Sequence, residues 1–221
     1  MTSYLYHKGE KIKLSRSIGV GRTSVVYEGI YNDNEVAVKV LKDSKFLQCF
    51  KLEVDVMQKL ADLNLSTLLK LLITNINDDD PNTTFIILFP LCKQYKNWRK
   101  EDIPPIIDTL KKVHDIGIIH RDFRKWNLLR DQDGSVRIAD WGFAVNVNET
   151  TTFAGSLETL SDDALQNVID GKDITYTCNI ELISVIRSFY LMVYRPLLKR
   201  PPFGENKNDI KSKGNQGILD E

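Results

Sequence analysis

Apolar and polar residues alternate near the start of the chain and take helical spacing further on. Between Lys11 and Lys39, Ile12, Leu14 and Ile18 alternate with polar neighbours, and Val36-Ala37-Val38-Lys39-Val40 is apolar but for one charge, which predicts strands. The cluster Tyr31-Asn32-Asp33-Asn34 predicts the turn between two of them. From Phe46 to Leu63 the period changes: Phe50, Val54, Met57 and Leu60 fall on one helical face. Strands are expected again at Leu65 to Ile73 and Thr83 to Leu88, joined by an acidic turn from Asn77 to Pro81. A second helix is expected from Ile103 to Ile116, with Pro104-Pro105 in its first turn, a stripe of Ile106, Leu110 and Val113, and Gly117 as its stop. Short apolar runs at Ile118-Ile119, Leu128-Leu129 and Val136 to Ala139 predict brief buried strands. The last helix expected, Asn179 to Tyr194, is mostly apolar, through Ile180, Ile183, Val185, Ile186, Tyr190 and Met192. After Gly204 the chain is polar and reads as a tail.

With 42% of its 221 residues hydrophobic, the chain can build one domain with a real core, or two small lobes sharing a cleft. Its formal net charge is zero, so nothing global steers it to nucleic acid or to an anionic membrane. The three cysteines, Cys49, Cys92 and Cys178, are widely spaced, which suggests a reducing compartment and shows no zinc spacing. Met1 to Lys13 has no apolar signal core, and Glu181 and Arg187 interrupt the apolar stretch at 180–194, so no membrane span is expected. Together these predict a cytoplasmic setting.

The candidate chemistry lies where short polar residues are set into the apolar runs. His120-Arg121-Asp122 follows Ile118-Ile119, Asn127 precedes Leu128-Leu129, and Asp140-Trp141-Gly142 follows Ile138-Ala139. Strands that end on acids in this way deliver carboxylates to a cleft, and Gly142 allows a sharp turn after the second one. Gly19-Val20-Gly21 lies between two strand-like runs; a lone Gly-x-Gly of this kind is common in turns. Lys39 is the single charge in its strand, a pattern shared by guards of sheet edges and by ligand-binding lysines. Glu53 shares its helix with the apolar face named above, where acids are usually solvated.

Taken together, these motifs resemble the protein kinase family over about residues 10–195. His120-Arg121-Asp122 with Asn127 resembles the catalytic loop, and Asp140-Trp141-Gly142 the Asp-Phe-Gly metal motif. Thr152 to Leu165 resembles the end of the activation segment that binds peptide substrates and that small-molecule kinases lack. The resemblance implies an α+β, two-lobed kinase-like fold: a β-rich N-lobe over about 1–89, a hinge at about 89–93, a reduced helical C-lobe over about 94–203 and a tail from 204 to 221. It implies ATP and Mg²⁺ as cofactors, a protein Ser/Thr hydroxyl as acceptor, and the following roles. Lys39 holds the α/β-phosphates, Glu53 positions Lys39, Asp122 accepts the hydroxyl proton, and Arg124 stands where a lysine is usual. Asn127 and Asp140 are the metal ligands, and Ile18, Gly19, Gly21, Val26, Ala37, Phe89 and Leu91 line the nucleotide pocket. The sequence departs from the family at Ser24 (for the third loop glycine), at Ser161-Asp162-Asp163 (for Ala-Pro-Glu), and at Asn179 (for the aspartate that braces the catalytic loop). Asp163 would keep the charge of the usual glutamate, and several C-lobe helices are missing. These departures favour a competing class, a pseudokinase that scaffolds a partner. Thr152 aligns with the threonine that many kinases phosphorylate, but only Arg121 remains of the basic pocket, with Val145 and Cys49 at the other positions, so no phosphate latch is expected. Trimmed kinases occur among viral proteins and secreted effectors, and the resemblance suggests such an origin.

Overall fold

A computed structural model describes residues 3–76, 83–95 and 99–194. The acidic turn expected at 77–81 and the polar tail expected from 204 lie outside the described residues. The N-terminal half is one antiparallel sheet. Strands β1 (Ser3–His7), β2 (Glu10–Val20), β3 (Ser24–Tyr31) and β4 (Asn34–Leu41) pair in succession, helix α1 (Leu47–Ala61) follows, and β5 (Lys70–Thr74) and β6 (Phe85–Phe89) complete the order β1-β2-β3-β4-β6-β5. The β3–β4 hairpin turns on Asn32 and Asp33, both with positive φ, as a tight two-residue hairpin requires.

Strand alternation decides what each side chain of β4 meets. Val36 and Val38 turn to one face, where they pack with Ile12, Leu14, Phe85 and Ile87. Ala37 turns to the other, against the α1 stripe of Phe50, Val54, Met57 and Leu60, all nearly fully buried. Lys39 shares the parity of Ala37, so it points the same way, toward α1.

The remaining elements are mostly helical with short strand pairs. They are β7 (Lys93–Gln94), α2 (Ile103–Asp115), β8 (Ile118–Ile119), β9 (Leu128–Arg130), β10 (Val136–Ile138), β11 (Val145–Asn146), β12 (Thr150–Thr151), α3 (Asp162–Ile169), β13 (Ile174–Thr175) and α4 (Cys178–Tyr194). β9 lies between β10 and β7, β8 pairs with β11, and β12 with β13. One core cluster joins the α1 stripe to Ile106, Leu110 and Val113 of α2, to Ile138 and Trp141, and to Val185 and Phe189 of α4. The protein is thus mixed α+β, an antiparallel N-terminal sheet followed by a chiefly helical half.

Four differences from the sequence reading have physical causes. β1 was not anticipated; it extends the sheet beyond Lys11 through a turn at Lys8 and Gly9, both of positive φ. The strand expected from Leu65 begins at Lys70, because the Leu68 N–H turns back to the Leu65 carbonyl at 3.1 Å. The Ser161-Asp162-Asp163 stretch opens a helix: Ser161 caps α3 by accepting from the Ala164 N–H at 3.4 Å, and both acids lie in its positive first turn. Finally, α4 is apolar without being buried all round; Val185 is fully buried, whereas Ile186 is 65% and Tyr190 54% exposed.

Candidate active site

Three segments distant in sequence meet at Lys39. Its ammonium lies 2.6 Å from Glu53 of α1 and 2.9 Å from Asp140, which follows β10. Lys39 and Glu53 are buried, while the Asp140 side chain keeps about a third of its surface open. Burial alone would drive the Lys39 ammonium to give up its proton, but the charges of Glu53 and Asp140 outweigh it and raise the pKa above the ordinary lysine value. Lys39 in turn holds the Asp140 carboxyl below the usual aspartate range. At Glu53, burial pushes the carboxyl up and Lys39 offsets this only in part.

The second carboxylate is delivered by the loop after β8. Arg121 adopts φ of 70°, as Asp140 does at 68°; both are left-handed non-glycine residues, a conformation that surrounding contacts must hold in place. His120 joins the two segments: its Nδ1 accepts from the Asp122 N–H at 3.2 Å and its Nε2 meets the Ala139 carbonyl at 2.9 Å. The Asn127 amide donates to the Asp122 carbonyl at 2.8 Å and to its Oδ2 at 2.9 Å, and Arg124 Nε lies 3.1 Å from the same Oδ2. Asp122 Oδ1 is buried and has no hydrogen-bond partner among the described residues. Burial pushes the Asp122 carboxyl above the ordinary aspartate value, against the pull of Arg124.

The remaining nucleotide-pocket positions fall along the sheet and after it. Gly19 is paired with Val26, Ala37 with Leu88, and Phe89 ends β6; Leu91 packs on the core, and Ile18 is exposed near the end of β2. The Gly21 N–H bonds the Ser24 carbonyl at 2.9 Å and closes the β2–β3 turn. Ser24 itself is buried in β3 opposite Leu41. Neither Gly19 nor Gly21 has a positive φ, and a Cβ on either would meet its neighbours no closer than 3.7 Å. The fold therefore does not itself require these glycines. An outside group that must approach the backbone closely would.

Several supporting residues were missed or misplaced by sequence reasoning. The brace under the loop comes from Glu181, which accepts the Arg121 N–H at 2.9 Å and meets His114 Nε2 at 2.5 Å; Asn179, expected in that role, is exposed. His114 is thus satisfied within the fold. Both acids are exposed, and the one tied to an arginine is Asp162, 2.9 Å from Arg187 of α4. Arg187 also donates to the Leu160 carbonyl, and Ser188 Oγ donates to that of Phe123 at 2.9 Å. Gly155 has φ of 109°, and a Cβ there would lie 2.7 Å from the Arg121 carbonyl, so only glycine lets the segment pass so close to the loop. A usable signal for Glu181 was its being a lone carboxylate in an apolar helix, a setting that acids occupy when they have partners.

The signature of the protein kinase domain matches residues 12–219, and the chain belongs to that family. It is 31% identical to a "Probable serine/threonine-protein kinase" of Clostridium acetobutylicum, over 78% of this chain and 29% of that protein. It is 26% identical to the "Probable serine/threonine-protein kinase PknB" of Lactococcus lactis, over 80% of this chain and 31% of that one. Cell division control protein 7 of Schizosaccharomyces pombe is 28% identical over 64% of this chain and 14% of its own length. The chain therefore spans less than a third of each of these relatives. Among the described residues, no helix is long and apolar enough to cross a membrane.

Proposed function

We propose that the chain is an ATP- and Mg²⁺-dependent protein kinase that transfers the γ-phosphoryl group to Ser or Thr hydroxyls of a protein. The observation that carries this is the meeting of Lys39, Glu53 and Asp140 beside a loop that presents Asp122 and Asn127. Positioning and charge neutralisation are most of what phosphoryl transfer asks of a protein. Lys39, fixed by Glu53, offers a permanent cation to the phosphates. Asp140 keeps an oxygen open to the cleft, and Asn127, whose amide nitrogen is engaged by Asp122, offers its oxygen. One carboxylate and one amide oxygen fit Mg²⁺, which takes few protein ligands and completes its shell with water and phosphate. When bound, the ion would neutralise charge on the phosphates. Gly19 and Gly21 leave the backbone of the β2–β3 turn open to phosphate oxygens, and Ile18, Val26, Ala37, Phe89 and Leu91 enclose the base, with the lobes divided at about 89–93.

In this reading Asp122 orients the acceptor hydroxyl through Oδ1 and takes up its proton, while Arg124 stands ready to neutralise the transferring group. Ser/Thr acceptors are supported by the names of the Clostridium and Lactococcus relatives and by the segment through Ser156. The test is transfer of labelled phosphate from ATP to the protein or to a basic protein substrate. Asp140→Ala should slow single-turnover transfer by about 10²–10³-fold, some 3–4 kcal/mol of lost electrostatic stabilisation. Undiminished transfer in that variant would overturn the site. Nucleotide binding without transfer in the unaltered protein would overturn the enzyme in favour of the scaffold.

A further inference from the structure

A cavity of about 790 Å³ opens beside Asp122, between the catalytic loop, the 156–159 segment and the C-terminal part of α4. It lies within the size range of ligand pockets, roughly 300–1,000 Å³. Arg124, in its wall, also contacts Asp122. Ser156, which also lines it, follows Gly155, where a Cβ would come within 3.3 Å of the unpartnered Asp122 Oδ1. The cavity thus adjoins Asp122 through Arg124, which lines it, and through Ser156, the neighbour of Gly155.

Its chemistry is specific. Trp126 is 61% exposed on a short 3₁₀ turn, between half-buried Lys125 and buried Asn127. The fold does not bury this indole, yet it stands in a pocket with Leu191 and Met192 of α4, both half-buried. Large aromatics placed this way are recurrent anchors of recognition. An indole can also attract a cation, but the lining sets two cations, Arg124 and Lys125, against one acid, Glu158, so its net charge opposes one. The walls are tied in place, since Arg187 of α4 holds the Leu160 carbonyl and Asp162 just beyond the 156–159 segment.

We propose that this groove binds the acceptor segment of the protein substrate, with a large apolar side chain flanking the acceptor and packed on Trp126. The proposal rests on the kinase reading for its location, and Trp126 acts in it as a specificity-determining residue. The experiment is fluorescence anisotropy with labelled serine peptides that carry Phe, Leu, Ala, Arg or Glu at each flanking position. The protein is held saturated with a non-hydrolysable ATP analogue. At one flanking position Phe and Leu should bind about five- to thirtyfold tighter than Ala, the range for truncating an interface anchor, and Arg no tighter than Ala. In Trp126→Ala that advantage should vanish, and in Trp126→Phe much of it should return, with the affinity for the analogue unchanged in both. No apolar preference in the unaltered protein, a preference that survives Trp126→Ala, or a preference for Arg would each overturn the proposal. The readout is binding, so a protein that selects these peptides but transfers no phosphate would sink the catalytic reading and leave this one standing.

Discussion

Glu181 is the residue whose removal should separate a structural brace from a bystander. Its two oxygens hold the Arg121 N–H at 2.9 Å and His114 Nε2 at 2.5 Å, and the residue is 2% exposed. Glu181→Ala leaves that buried N–H and the imidazole without their acceptor. Each abandoned buried hydrogen-bonding group costs about 1–3 kcal/mol. Because the two losses share one site they do not add in full, and we expect about 2–4 kcal/mol in all. The loss should fall on Arg121, whose left-handed backbone is stable only while its contacts persist. Glu181→Gln keeps the shape and one acceptor, so it should cost about 1–2 kcal/mol. Asn179→Ala, at an exposed position, should stay within about 0.5 kcal/mol. Urea unfolding of the three variants, monitored by circular dichroism, measures these differences. An Asn179→Ala loss equal to that of Glu181→Ala would show that the helix presents the other residue to the loop and would refute the reasoning.

Two further outcomes follow from the electrostatics and the segment after Asp140. In the proposed reaction Asp122 must be ionised to accept a proton; burial raises its pKa while the Arg124 charge holds it back, so kcat/KM should fall as pH drops through that raised value. Arg124→Gln removes the charge that lowers the pKa and should move the acidic limb of the pH profile to higher pH, with Arg124→Lys moving it less; a limb that stays put in Arg124→Gln would contradict the assignment. Thr152 is exposed, and the Arg121 guanidinium already donates to its carbonyl and lies 4.6 Å over the Tyr176 ring. With buried Val145 and half-buried Cys49 at the other pocket positions, Thr152→Ala should change kcat/KM by less than about fivefold, under about 1 kcal/mol, and a loss of about a hundredfold would reveal a phosphate latch.

How much could be read from the sequence varies with the range of the interaction. The stripes of α1 and α2 were legible because helical period alone fixes which side chains share a face, and Phe50, Val54, Ile106 and Leu110 are all buried. The direction of Lys39 follows from strand alternation with Ala37, though its meeting with Asp140 rests on contacts a hundred residues apart in the chain, visible only through motif resemblance. Rotational phase was the weak point. Asn179 and Glu181 stand about 200° apart round a helix, so only one can face the loop, and spacing from a motif did not decide which. The acids after Ser161 serve both as a helix start and as an ion-pair motif, with Asp162 rather than Asp163 meeting Arg187, a choice that helical phase makes and residue type does not. The exposure of Ile186 and Tyr190 on α4 was illegible in principle, since an apolar residue reads the same at a buried and at an exposed position.

The hydrogen bonds of His120 have a consequence for where one proton resides. A carbonyl can only accept, so the Ala139 oxygen needs a proton on Nε2; a backbone N–H can only donate, so Asp122 needs a lone pair on Nδ1. Of the two neutral tautomers of imidazole, only the Nε2–H form satisfies both partners. The chain has three histidines, so the nitrogen-15 side-chain spectrum is sparse enough for this ring to be assigned. Because the Nδ1 bond lies within the loop, the tautomer should persist if either segment swings, and the swing would be seen instead as a shift of the Nε2–H resonance on loss of its bond to the Ala139 carbonyl.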